Sequence, residues 1–104
     1  MNIYLSGAIT ARTKRKEQKN RARFYEKAAE LRSLGHNVYN PCDGALEQAY
    51  VQGNASYEEI LAYDIFKVME CEAIFLMKSW QNSHGAKLEK AVAENLNKKI
   101  MYEA

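Results

Sequence analysis

Apolar positions fall into two kinds of run along these 104 residues. Short runs without alternation occur at Asn2-Ile3-Tyr4-Leu5-Ser6, His36-Asn37-Val38-Tyr39-Asn40, Ala73-Ile74-Phe75-Leu76-Met77 and Lys99-Ile100-Met101-Tyr102. Such runs, broken by Gly7 and Pro41, read as short strands buried on both faces. Between them the period is helical. Phe24, Ala28 and Leu31, spaced i, i+4, i+7, predict a helix from about Glu17 to Leu34 that Gly35 stops. Tyr57, Ile60, Leu61, Ile65 and Val68 predict a second, from the Ser56 cap to about Glu70, with Glu59 completing a capping box. Leu88, Ala91, Val92 and Leu96 predict a third over Gly85–Leu96. Residues 42–56 are turn-like, with room for a short helix around Leu46 to Tyr50.

Strands that alternate with helices imply a small doubly wound α/β domain, a flavodoxin- or Rossmann-like parallel sheet flanked by helices, over residues 1–104 as a single unit. Sheets of this kind bind ligands beyond the carboxyl ends of their strands, where strand order reverses. That edge collects Ser6-Gly7-Ala8, Asn40-Pro41 and the segment from Lys78 to Gly85.

On this pattern, Asp64 and Glu89 acquire chemical interest. At 100° per residue Asp64 falls inside the apolar arc of its helix, about 40° from Ile60, where a charge is costly unless it is paired or lines a cavity. It either caps a neighbouring backbone amide or meets a basic side chain, or it lines a pocket with a raised pKa and moves a proton. Glu89 lies about 100° round from Leu88, at the border of the third helix's stripe. Taken alone it reads as a solvated helix residue. Taken with Asp64 it forms a carboxylate pair, and two carboxylates in one pocket suit cleavage of a glycosidic bond.

Ser83 precedes that helix as an N-cap, or with the amides of Gly85 and Ala86 it holds a phosphate against the helix dipole. Gly7 permits close backbone approach to a ligand, and Tyr4 on a buried strand needs a partner for its hydroxyl. Trp80, the only tryptophan, either covers apolar surface or stacks on a base. His84 and the remote His36 suggest no metal site, and nothing in the pattern asks for a cofactor.

The net charge of +2 conceals an asymmetry: residues 12–23 hold seven of the fifteen basic side chains and one acidic group, Glu17. This segment is a solvated face or an attractor for a phosphorylated ligand. No aromatic residue is interleaved before Phe24, which speaks against nucleic acid as the partner. Cys42 and Cys71 are too few for a disulfide framework and read as free thiols of a cytoplasmic protein. No apolar run approaches the roughly 18 residues of a membrane span, and the first residues read as a strand and not as a secretion signal.

The residues Ile3-Tyr4-Leu5-Ser6-Gly7-Ala8-Ile9, Asn20-Arg21 with Phe24, Leu34-Gly35-His36-Asn37-Val38 with Asn40-Pro41, Asp64, Cys71-Glu72-Ala73-Ile74, Trp80, and Ser83-x-Gly85-Ala86-x-x-Glu89 with Ala93 follow one another in an order found elsewhere. In that order and spacing the chain resembles the nucleoside 2-deoxyribosyltransferase-like superfamily, above all its small phage and bacterial members, and next the 2′-deoxynucleoside 5′-phosphate N-hydrolases. The resemblance implies that Glu89 is a nucleophile forming a covalent glycosyl-enzyme at C1′, that Asp64 protonates the leaving base, and that Tyr4 orients Glu89. It implies a substrate site built from Ser6, Gly7, Ala8 and Ile9, from Asn40 and Pro41, and from Trp80, Ser83, Gly85 and Ala86. Ser83 stands where the hydrolase branch holds a 5′-phosphate, which favours a nucleotide.

Ala8 stands in place of a phosphate-binding serine and Thr10 in place of an arginine, for which Arg12 or Lys14 is the substitute at hand; Glu72 replaces an aspartate. The segment from Cys42 to Ser56 differs too, where the base pocket is shaped. The implied activity is cleavage of the base–sugar bond of a (deoxy)nucleoside 5′-monophosphate, by hydrolysis or transfer, with a catalytically silent nucleotide-binding protein as the alternative. The expected assembly is a homo-oligomer, dimer or larger.

Overall fold

The computed structural model describes residues 1–104. Its elements in order are β1 (Asn2–Ser6), α1 (Lys14–Ser33), β2 (Asn37–Tyr39), α2 (Ala45–Val51), α3 (Tyr57–Glu70), β3 (Ala73–Leu76), α4 (His84–Asn95) and β4 (Lys99–Tyr102). Single 3-10 turns at Pro41–Asp43 and Trp80–Asn82 lead into α2 and α4. The four strands form one parallel sheet in the order β2-β1-β3-β4. The chain therefore leaves β1 toward one edge and resumes at β3 on the other side of β1. That reversal opens a crevice between the carboxyl ends of β1 and β3, where Ser6 pairs with Leu76.

The sheet has two apolar faces because side chains alternate along each strand. Ile3, Leu5, Ala73, Phe75 and Met77 pack on one side with Phe24, Ala28 and Leu31 of α1. Tyr4, Ile74 and Leu76 pack on the other with Val68 of α3 and Ala93 of α4. Ser6 follows Tyr4 by two residues and shares its face, so a phenol and a hydroxyl look toward α4 from a strand that is otherwise core. No helix is long and apolar enough to cross a membrane.

Two expectations shift. The first helix begins at Lys14, three residues before Glu17, because the Thr13 side chain accepts a hydrogen bond from Lys16 N and caps it; the basic run is thereby the helix's first turns. More consequential is α4, whose buried residues are Ala86, Glu89 and Ala93, while Leu88 and Leu96 are 40% and 45% exposed. Glu89 thus lies in the middle of the inward face and not at its border. Two alanines let the helix approach the sheet closely, and hydroxyls on β1 offset the burial of the carboxylate between them.

Gly7 ends β1 beside the far sheet face. A Cβ there would stand 3.0 Å from Met77 Cβ and 3.5 Å from Phe24 Cζ, contacts the packed core has no room to relax. Gly7→Ala is expected to destabilise the domain by about 1–3 kcal/mol. Thermal unfolding followed by circular dichroism reads this as a lower Tm, at about 4–8 °C per kcal/mol for a domain of this size.

Candidate active site

Glu89 anchors the site. It is 7% exposed, and each carboxylate oxygen accepts a hydrogen bond: Oε2 from Tyr4 Oη at 2.8 Å and Oε1 from Ser6 Oγ at 2.7 Å. Both donors lie on β1, two residues apart, so the strand's period presents them side by side. The Tyr4 ring is fixed by stacking on Tyr39 of β2, with centroids 5.4 Å apart. Burial, and after it the charge of Glu89, pushes the Tyr4 phenol well above its ordinary range, so it remains a donor.

These groups open onto a cavity of about 310 Å³, within the size range of small-ligand sites. Its floor is Tyr4, Ser6 and Glu89; one wall is the turn after β1, Gly7 to Thr10, with Asn82 to Ala86, which lead into and open α4. The facing wall comes from α2 and α3, with Glu47, Tyr50, Tyr57, Ile60, Leu61 and Asp64. Two contacts hold the turn after β1: Asn20 Nδ2 on α1 donates to Ile9 O at 3.1 Å, and Ala8 N donates to Ser79 Oγ at 3.3 Å. The Ser83 hydroxyl accepts from Ala86 N at 3.1 Å, so the N-cap reading is the one realised, with the residue also on the cavity wall.

The cavity raises both catalytic candidates' pKa values. Burial, then the charges of Glu89 and Glu47, pushes Asp64 up to about 8. Burial likewise pushes Glu89 up to about 7, against the downward pull of the hydrogen bonds from Ser6 and Tyr4. Two carboxyls that repel each other titrate as a pair and share one proton near neutrality. The donors decide its place: both of Glu89's oxygens are met by hydroxyls that favour the ionised form, whereas Asp64 has no such partner. The pair is then an anion at Glu89 beside an acid at Asp64, from two side chains that enter from different helices.

Eleven of the residues singled out in the sequence meet in this cavity: Tyr4, Ser6, Gly7, Ala8, Ile9, Pro41, Asp64, Ser83, Gly85, Ala86 and Glu89. Three do not. Arg12 is exposed, lies ahead of the Thr13 cap that opens α1, and does not line the cavity. Asn40 is buried behind Pro41, where its Oδ1 accepts from Cys42 N and caps the turn into α2. Trp80 packs on the core beside β4, tilted against Tyr102 with Lys90 over its face, so it covers apolar surface. Glu47, Tyr50 and Tyr57 were not anticipated. A seven-residue helix is too short to display a stripe, though the density of tyrosines between 50 and 57 was a signal available. No lysine or arginine lines the cavity, and no cluster of His, Cys, Asp and Glu side chains has the arrangement a metal ion needs.

Stability should report the half-buried acid. Asp64 titrates near 3.8 when unfolded and near 8 when folded, so the folded state holds the proton more tightly. Its contribution is complete below about pH 4 and is lost as pH rises toward 8. Asp64→Asn, which cannot ionise, is therefore expected to match the parent's Tm near pH 4 and to exceed it at pH 8–9, by about 4–8 °C for each kcal/mol recovered. Melting curves at the two pH values check this.

The profile of a family described as "Domain of unknown function (DUF4406)" matches residues 1–102. Among curated proteins none matches the sequence. Among solved structures the chain is similar to a 2-desoxiribosyltransferase from Leishmania mexicana, with a TM-score of 0.70 and 17% sequence identity. The alignment covers 97% of this chain and 62% of that one, so the chain spans under two thirds of that protein's length. The chain thus shares the fold of that protein, a parallel sheet with helices on both faces. By the match over nearly its whole length, the chain belongs to the DUF4406 family.

Proposed function

We propose that this protein is a glycosyl-transfer enzyme that cleaves the base–sugar bond of a (deoxy)nucleoside through a covalent intermediate on Glu89. The observation that carries the reading is the Glu89 carboxylate held between the Tyr4 and Ser6 hydroxyls in a cavity it shares with Asp64. A carboxylate oxygen attacks C1′ as the bond from C1′ to the base nitrogen breaks and its electron pair leaves with the base. Asp64 gives its proton to that base. Water, or a second base, then attacks C1′ of the glycosyl ester; Asp64 takes the proton and Glu89 is released, with configuration retained overall. The solved deoxyribosyltransferase of the same fold supports the reaction class.

The cavity wall also bears on the sugar's 5′ end. Ser83 alone points to a 5′-phosphate. Against that, the lining holds the Glu89 anion and no Lys or Arg to meet a phosphate, Ala8 brings no hydroxyl, and its amide is committed to Ser79. A dianionic phosphate entering a wall of this sign is opposed by its field. The substrate we assign is therefore the nucleoside with a free 5′-hydroxyl, which Ser83 meets at the start of α4, in preference to its 5′-monophosphate.

Chromatography of free base from paired nucleosides and nucleoside 5′-monophosphates tests both parts. Base release is expected from the nucleosides, with an optimum between about pH 7 and 8, because Glu89 must have lost its proton and Asp64 must retain its own. Glu89→Gln should lower the rate by about a thousandfold or more, as loss of a covalent nucleophile does. A full rate in that variant refutes the mechanism, and a preference for monophosphates refutes the assignment of the 5′ end.

A further inference from the structure

The proposed chemistry uses Glu89 and Asp64 and leaves the third acidic side chain of the cavity, Glu47, without a task. Glu47 belongs to α2, is 7% exposed and lines the wall that also holds Asp64. Its Oε1 accepts from Arg21 Nη2 of α1 at 2.6 Å. Its Oε2 makes no hydrogen bond within the protein and keeps some contact with solvent, on a residue that lines the cavity. Few carboxylates are buried to this degree with one oxygen left open, because an unmet acceptor away from water is costly. Arg21 offsets the charge and fixes the side chain's direction, so the open oxygen is a preset acceptor, not a floppy one. Tyr50 and Tyr57, with ring centroids 6.3 Å apart, supply apolar surface on the same wall.

We infer that Glu47 recognises an exocyclic amino group of the base, so that the ligand carries a 6-aminopurine or 4-aminopyrimidine and not the corresponding oxo base. The placement of the base at this end rests on the proposed function. In that function Asp64 protonates the base, and Asp64 and Glu47 line the same wall, so the base lies beside α2. An amino group donates to Oε2. An oxo group in its place sets a carbonyl lone pair against a carboxylate lone pair and leaves both unsatisfied. A site built to accept a hydrogen bond rejects the analogue that lacks the donor far more strongly than an apolar pocket rejects a change in size.

Titration calorimetry of the full chain with free bases, adenine against hypoxanthine and cytosine against uracil, tests the inference without requiring turnover. The amino member should bind more tightly by about tenfold or more in at least one pair, the scale of one hydrogen bond to a charged group. Glu47→Gln keeps the size and an oxygen for Arg21 but presents a donor as readily as an acceptor, so the ratio should fall to near one. Equal affinities within both pairs in the parent protein, or no binding of any of the four bases up to millimolar concentration, overturns the inference whether or not the variant folds. So does an unchanged ratio in a Glu47→Gln protein whose melting curve remains cooperative. If no nucleoside releases its base and the amino preference still depends on Glu47, the reaction fails and base recognition stands. If base is released with no such preference, the reverse holds.

Discussion

A carboxylate in the middle of an apolar helix face is tolerable only if both of its oxygens are met, and this requirement organises the molecule. Glu89 needs two hydroxyls, one from Tyr4 and one from Ser6. They can come from one strand only if that strand alternates its side chains toward α4 at the sheet's switch point. The approach must be close, hence Ala86 and Ala93 on either side of the acid. The turn after β1 must then leave the strand tightly, and Gly7 against Met77 and Phe24 permits it. Each of these choices costs little by itself. Together they hold one ionisable group in a fixed place where water would otherwise solvate it.

The same economy explains why the acids differ. Asp64 is half-buried without donors and keeps its proton; Glu89 is buried with two and gives its proton up first. Glu47 is held a third way, by a guanidinium. Three carboxyls within one cavity thus take three electrostatic settings from three sets of neighbours. A domain of 104 residues has little stability in reserve. Concentrating this much acidity in one place is a conflict of the kind found at sites shaped for work and not for packing.

Much of this was legible beforehand, for identifiable reasons. The apolar runs of β1 and β3 and the Phe24-Ala28-Leu31 stripe reported the sheet and α1, because buried strands and a long helix leave strong periodic marks. Asp64 stood out because it broke a stripe. Glu89 reads as an edge residue of its helix face, since pattern reading follows leucines, whereas the buried face holds alanines and Leu88 and Leu96 remain partly exposed. The family resemblance groups Arg12, Asn40 and Trp80 with the site, Arg12 as the substitute for an arginine. Their side chains instead serve an exposed helix entry, a turn cap and the core margin. Glu47 left no trace, because two turns of helix carry too little pattern and its partner, Arg21, lies 26 residues away.

The seat of α4 has a mechanical corollary. A hydrogen-bonded helix of twelve residues is a stiff rod, and this one is fastened to β1 through a single side chain by two short hydrogen bonds, one from Tyr4 and one from Ser6. Helix and strand are riveted together at that point, so a shift of one against the other changes both bond lengths at once.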